Sequence, residues 1–307
     1  MQLQVKMTKM LQLLLRDKNL YFMLLPGLVY FIVFRYFPMA GLIIAFKDYD
    51  IFKGIQDSPW VGLDIFREVF SSSDFKDILF NTLLISFYKL IFGFPVPILL
   101  ALLLNEIRFR FFQRLSQTIL YLPHFISWVV IGGIMLTLLS PNYGIAGDIM
   151  RLFGVEPFNL LGSRDYFRSI LVVSDIWRNA GWGTIIYLAA LTQVDPTLYE
   201  AAVVDGANKW KQTWHITLPS IAPVIILLLI LDIGRIMNVG FEQILILQNP
   251  LVRDISDVFE TYVYRVGIQR GEYSFTAALD FFKSVVSAVL IISAHRISKR
   301  LGQEGLL

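Results

Sequence analysis

Apolar residues along this chain run in long blocks rather than alternating with polar ones. A bilayer core of about 30 Å needs about 20 consecutive apolar residues per helix, and six blocks meet that length, at roughly 21–46, 79–104, 119–139, 170–192, 221–247 and 275–294. The pattern predicts an all-α polytopic membrane protein with about six transmembrane helices. Pro26, Pro38, Pro95 and Pro97 fall inside the first two blocks, where neighbouring helices can satisfy the carbonyls that proline frees. The first block is expected to remain in the working chain. It is too long for a signal peptide, Arg35 interrupts it, and no small-residue cleavage site follows.

Between the fourth and fifth blocks lies a segment with its own punctuation. Asp195-Pro196 is a helix start, carboxylate cap followed by proline at the first helical position. Gly206 supplies the left-handed residue that ends a helix of about ten residues. Asn208 then starts a second short helix, expected through His215, with Trp210 and Trp214 on one face and Pro219 as its stop. Two short helices meeting at a glycine make a protruding knob suited to a partner's groove.

Composition narrows the class. Of 307 residues, 56% are hydrophobic and 17% charged, too little charge to cover a soluble domain of this size. A soluble enzyme, a disordered tail and a nucleic-acid binder are excluded; the net charge is only +3 and the basic residues form short clusters. The absence of cysteine removes disulfide, iron–sulfur and cysteine–zinc chemistry. No metal site is expected, because His124, His215 and His295 lie in separate segments without metal-ligand spacing. Orientation follows from Lys and Arg. With both termini inside, the inner segments hold twelve basic and six acidic residues and the outer ones ten and fourteen. The clusters Arg108/Arg110/Arg114 and Arg296/Lys299/Arg300 decide for cytoplasmic termini. Residues 1–18 read as a basic amphipathic segment on the inner membrane surface or as a frayed tail, and 19–307 as one membrane domain.

Nine ionisable residues fall within the blocks: Arg35, Lys89, Asp175, Arg178, Asp232, Arg235, Glu242, Asp280 and Lys283. Charges at such depth face a cavity or a partner. Asp175/Arg178, Asp232/Arg235 and Asp280/Lys283 each place an acid three residues before a base, a spacing that lets the two meet on one helix face. They read either as structural clasps or as groups on a substrate path.

The knob carries a more specific signal. Glu200, Ala201, Ala202, Gly206, Ile216, Leu218 and Pro219 match without a gap the Glu-Ala-Ala loop of permease subunits in binding-protein-dependent ABC importers. Phe46-Lys47-Asp48-Tyr49, Ser58-Pro59-Trp60-Val61-Gly62, Tyr121-Leu122-Pro123-His124-Phe125-Ile126-Ser127-Trp128 and Thr261-Tyr262-Val263-Tyr264-Arg265 resemble the maltose-importer class, and within it the branch serving complex oligosaccharides. One departure is Asp280, where that branch usually has glycine.

The resemblance implies a type I ABC importer permease in the bacterial plasma membrane, one half of a heterodimeric channel. Its coupling loop, at about 193–220, would dock into one of the importer's two cytoplasmic ATPase subunits through Glu200, Ala201, Ala202, Asp205, Gly206, Ala207, Trp210, Ile216, Leu218 and Pro219. An extracellular solute-binding protein would deliver an oligosaccharide; residues 140–169, with Pro141-Asn142-Tyr143-Gly144 and Asp148, read as an ordinary solvated loop first and as contacts for that protein second. Counting outward from the loop puts Asp175, Arg178, Asn179 and Trp182 on one side of the sugar pocket and Asp232, Arg235 and Ile236 on the other, with Asp280 and Lys283 as further candidates. No Gly-Lys dipeptide occurs, so ATP and Mg belong to the partner ATPases and this chain holds no cofactor of its own. A permease for amino acids, metals or phosphate, and a polytopic membrane enzyme, are the competing expectations.

Overall fold

The computed structural model describes residues 16–300. The amphipathic segment expected over 1–18 therefore lies almost wholly outside the described residues. The rest is helical, and among the described residues the only extended pairing is an isolated antiparallel bridge between Lys47 and Trp60.

Among the described residues, four helices are long and apolar enough to cross a membrane: α1 (Lys18–Phe46), α2 (Ser73–Asn105), a helix over Lys209–Gly234 and one over Tyr273–Arg300. A further pair, α3 (Arg110–Phe125) and α4 (Trp128–Leu138), is long and apolar enough only when taken together, and is bent by 99° at its break. The sixth expected span lies within α5 (Arg164–Leu191), which is 28 residues and so about 42 Å long. Arg164, Asp165, Arg168, Asp175 and Arg178 keep it outside the apolar set. After it come α6 (Pro196–Val204), α7 (Lys209–Gly234), α8 (Phe241–Leu247), α9 (Phe259–Val263) and α10 (Tyr273–Arg300).

Two expected boundaries are corrected. The block at 221–247 is not one helix. α7 ends at Gly234, the chain runs irregularly to Gly240, whose φ of 106° suits only glycine, and α8 starts afresh. Nor does Pro219 stop a helix, because α7 runs through it from Lys209. The reason is a π turn at Thr213–Thr217, where the Leu218 N–H bonds the carbonyl of Thr213. Proline has no N–H, and its ring clashes with the carbonyl four residues back; the wider turn relieves that clash. The same device recurs. The π turns Ile32–Tyr36 and Lys89–Gly93 also end two residues before a proline, Pro38 and Pro95.

Three buried apolar clusters hold the helices. One packs α1 and α10 together through Ala45, Met237, Phe259, Ala278 and Leu279. A second gathers Ile85, Phe167, Leu171, Val239, Ile244 and Leu247 around one end of α5. The third joins Ala101, Tyr187, Leu191 and Ile221 at its other end. The middle of α5, between the second and third clusters, borders open space instead. Close approach there depends on Gly181, where an added Cβ would stand 1.9 Å from the carbonyl oxygen of Leu120.

Candidate functional site: a central cavity and a two-helix loop

A cavity of about 750 Å³ opens between α2, α5 and α7, a size typical of small-molecule sites. Of the residues expected on the path, Asp175, Asn179, Trp182, Asp232, Arg235 and Ile236 line it. Ser86, Lys89, His124 and Asn238 line it as well. Arg178, Asp280 and Lys283 do not.

The expected charge clasps largely fail to form. Asp175 pairs with Lys89 across helices at 3.3 Å, and takes a further hydrogen bond from Asn179 Nδ2 at 3.1 Å. Arg178 turns away. Its Nε donates to the carbonyl of Ile126 at 3.1 Å, and its guanidinium lies 5.1 Å from the centre of the Trp128 ring. Asp232 and Arg235 make no ion pair, because α7 unwinds between them and Arg235 leaves the helix at φ −95°, ψ 4°. The Arg235 guanidinium has no hydrogen bond or ion pair to any described residue and is exposed to the cavity. Only Asp280 and Lys283 meet as expected, at 3.9 Å, away from the cavity.

One wall presents an aromatic platform. The His124 ring stacks on Trp182 with centroids 4.7 Å apart and planes 6° from parallel. Asn179 Oδ1 lies 3.1 Å from His124 Nδ1, a contact in which the amide oxygen accepts from the ring N–H. A flat apolar face beside amide, carboxylate and guanidinium groups is chemistry that suits a sugar: ring stacking plus donors and acceptors for hydroxyls. Lys89 stands among the charges expected to face a cavity or a partner, but with no acid three residues away its partner cannot be read from spacing. His124, set aside in the sequence as a metal ligand, is not among the residues expected on the path, and the turn at Pro123 carries it to α5.

The two-helix loop continues both cavity walls, since α5 leads into it and α7 leaves it. Asp195 Oδ1 accepts from the Thr197 N–H at 2.9 Å, and that bond holds its carboxyl below the usual carboxylate range. α6 ends in a Schellman motif: Ala207 N–H to Ala202 O at 2.8 Å, Gly206 N–H to Val203 O at 3.0 Å, and Gly206 at φ 73°. An added Cβ at Gly206 would meet nothing within 4 Å. Glycine is thus needed for its backbone angle rather than for room within this chain. Asn208 caps α7 through the Lys211 N–H at 2.9 Å. Glu200, Ala201, Asp205, Trp210 and Pro219 are exposed, while Ala202, Ala207, Ile216 and Leu218 are half-buried. Trp210 and Trp214 form an edge-to-face pair at 5.9 Å. The loop is tied back to α2 by Lys209 and Glu106 at 3.3 Å.

Known proteins resemble this chain in sequence and in fold. Residues 93–303 match the family described as binding-protein-dependent transport system inner membrane component. Protein LplB of Bacillus subtilis (strain 168) is 46% identical over 291 residues, covering 95% of this chain and 92% of that protein. The polygalacturonan/rhamnogalacturonan transport system permease protein YteP of the same organism is 46% identical over 301 residues, covering 98% and 94%. A chain in the crystal structure of a bacterial alginate ABC transporter, in complex with alginate pentasaccharide-bound periplasmic protein, superposes with a TM-score of 0.88 at 41% identity, covering 96% of this chain and 99% of that one. The chain therefore belongs to the inner-membrane components of binding-protein-dependent transport systems, and is a permease subunit rather than an enzyme.

Proposed function

We propose that this chain forms half of the translocation path of an ATP-driven importer for an oligosaccharide, and that its substrate class is acidic. One observation carries the reading: the cavity lies between the helix that enters the two-helix loop and the helix that leaves it. A movement imposed on the loop therefore reaches both walls directly. Roughly 14 Å of helix at 1.5 Å per residue separate Trp182 from the end of α5. In this reading a separate ATPase subunit grips the exposed Glu200 face, with Ala201, Ala202 and the Gly206 turn allowing it close to the backbone. Nucleotide-driven closure of two such subunits, which hold the ATP and Mg, would drive alternation between inward- and outward-facing states. The N- and C-termini would share the cytoplasmic side with the loop. A second, homologous permease would complete the channel, and an extracellular binding protein would load it.

Two features support sugar over another solute. The Trp182–His124 platform offers a stacking face, and the relatives include a permease named for polygalacturonan and rhamnogalacturonan and an importer of alginate. Arg235 supports the acidic class, since its guanidinium, exposed at the cavity and making no hydrogen bond to a described residue, suits bidentate capture of a carboxylate.

The test is uptake. The chain is reconstituted in vesicles with its second permease, ATPase and binding protein, and ATP-dependent import of neutral and uronic-acid oligosaccharides is measured. Import of the acidic series is expected. Import restricted to neutral sugars would remove the acidic assignment, and import of a non-sugar solute alone would overturn the sugar reading itself.

A further inference from the structure

The irregular stretch between α7 and α8 carries Arg235, Ile236 and Asn238 into the cavity, and it has no helical ladder to hold it. Two charged side chains do so from opposite sides. The carboxylate of Glu260, on α9, accepts the N–H groups of Val239 and Gly240, both at 3.1 Å. The ammonium of Lys89, on α2, donates to the carbonyl of Val239 at 2.7 Å and to Gln243 Oε1 at 2.5 Å. Its remaining interaction is the ion pair with Asp175 on α5 at 3.3 Å. An ammonium has three N–H donors, so this one is fully committed.

The neighbours reinforce the arrangement. Ser86, one turn before Lys89, hydrogen-bonds the carbonyl of Ile236. Gln243 donates in turn to the Leu171 carbonyl at 2.7 Å and to Ser174 Oγ at 2.8 Å. Gly240 is so close that a Cβ there would stand 3.5 Å from Lys89 Nζ. The cluster sits where the cavity meets the apolar packing of Leu171, Val239 and Ile244, and so forms the cavity's roof. Backbone freed from a helix at membrane depth is tolerated where other groups satisfy it beside a cavity.

We infer that Lys89 is a positioning residue for transport: fixed to α5 by Asp175, it holds the break between α7 and α8 and thereby sets where Arg235 and Asn238 meet the substrate. This rests on the importer reading above. It adds that the Lys89–Asp175 pair is not a self-contained clasp that merely offsets two buried charges. Asp175 orients the ammonium, and the ammonium's bonds to Val239 and Gln243 do the positioning.

Two variants separate these roles in the assembled importer, reconstituted with its partners. Lys89→Met removes the hold and strands Asp175. Lys89→Met/Asp175→Asn removes the hold but leaves no unpaired charge, and is the variant expected to assemble. Assembly, sugar uptake and ATP hydrolysed per sugar imported are measured. The double variant should assemble at the wild-type level, yet show an apparent KM for the loaded binding protein raised roughly tenfold, the change expected for losing a hydrogen bond to a charged group. Its ATP cost per sugar should rise as well. Lys89→Arg, which keeps a cation and donors toward Val239, should recover part of both. Wild-type KM and coupling in the double variant would overturn the inference and return the pair to a clasp. Defective assembly of the double variant with normal transport per assembled complex would do the same. Failure of the wild-type complex to import any sugar would instead be failure of the importer reading.

Discussion

Asp175 gives its carboxylate to Lys89 on another helix, while Arg178, one turn further along α5, reaches the carbonyl of Ile126 and the face of Trp128. Lys89 and Arg178 thus have different tasks. Lys89 faces the cavity, and Arg178 ties α5 to the turn between α3 and α4. A double-mutant cycle on stability in detergent should therefore give a coupling of about 0.5–3 kcal/mol between Asp175 and Lys89, the range for contacting residues. Between Asp175 and Arg178 the coupling should be smaller. Equal couplings would restore the clasp that sequence spacing suggests.

Gly206 is held at φ 73° with open space around its Cα. Gly206→Ala should destabilise the loop by about 1–2 kcal/mol through the left-handed backbone alone, and Gly206→Asn by less, because asparagine visits that region more readily. In the assembled complex, ATPase bound per permease should follow the same order, Gly, Asn, Ala. A Gly206→Ala chain that unfolds and binds ATPase like wild type would show that the turn has another solution.

Gly181 presents the opposite case, with a helical backbone and no room. An added Cβ would lie 1.9 Å from the Leu120 carbonyl oxygen, whereas at Gly183 it would meet only the Pro97 ring at 3.1–3.2 Å. Gly181→Ala must push α3 off α5. It should cost about 1–3 kcal/mol, as overpacking does, and should disturb the His124–Trp182 stack. Gly183→Ala should be milder. Thermal unfolding of the two variants decides, and equal losses would mean that the α3–α5 contact yields freely.

The loop was legible in the sequence because its signals are local. A carboxylate before proline, a glycine at the left-handed position and an asparagine cap each act within a few residues, and α6 begins at Pro196 and ends at Val204 accordingly. What stayed hidden depends on distant partners. A hydropathy window could not show that the block at 221–247 breaks at Gly234, since apolar residues lie on both sides of the break and Lys89 and Glu260, which satisfy it, come from elsewhere in the chain. The three-residue spacing of acid and base was a real pattern read too locally. It permits a clasp, but a carboxylate takes the better partner, and for Asp175 that partner is on α2.

Topology can be tested without background from this chain, which contains no cysteine. Gln269 and Asn208 are both exposed. In intact cells Gln269→Cys should react with an impermeant thiol reagent added outside, and Asn208→Cys only after the membrane is opened. Reaction of Asn208→Cys from outside would invert the orientation and detach the two-helix loop from any cytoplasmic ATPase.

Asp232 and Arg235 offer the most direct reading of the substrate. Had they formed an ion pair, removing one would strand the other, and neutralising both would partly restore function. They make no such pair, since Arg235 departs from the helix as α7 unwinds. Each is then open to meet the sugar directly, although the two charges still feel one another. Arg235→Gln keeps donors but removes the charge that a carboxylate needs, so it should weaken uptake of uronic-acid oligosaccharides by roughly tenfold or more, the loss expected for a charge-assisted bond, and leave neutral ones little changed. Asp232→Asn keeps an acceptor for hydroxyls while removing a like charge, so it should leave acidic sugars unharmed or improve them. The double variant should depart from the sum of the two effects in free energy only by the coupling of two neighbouring charges. The measurement is vesicle uptake of matched acidic and neutral oligosaccharides, normalised to assembled complex. Rescue of Arg235→Gln by Asp232→Asn for both sugar series would mean that the two residues answer to each other and not to the cargo.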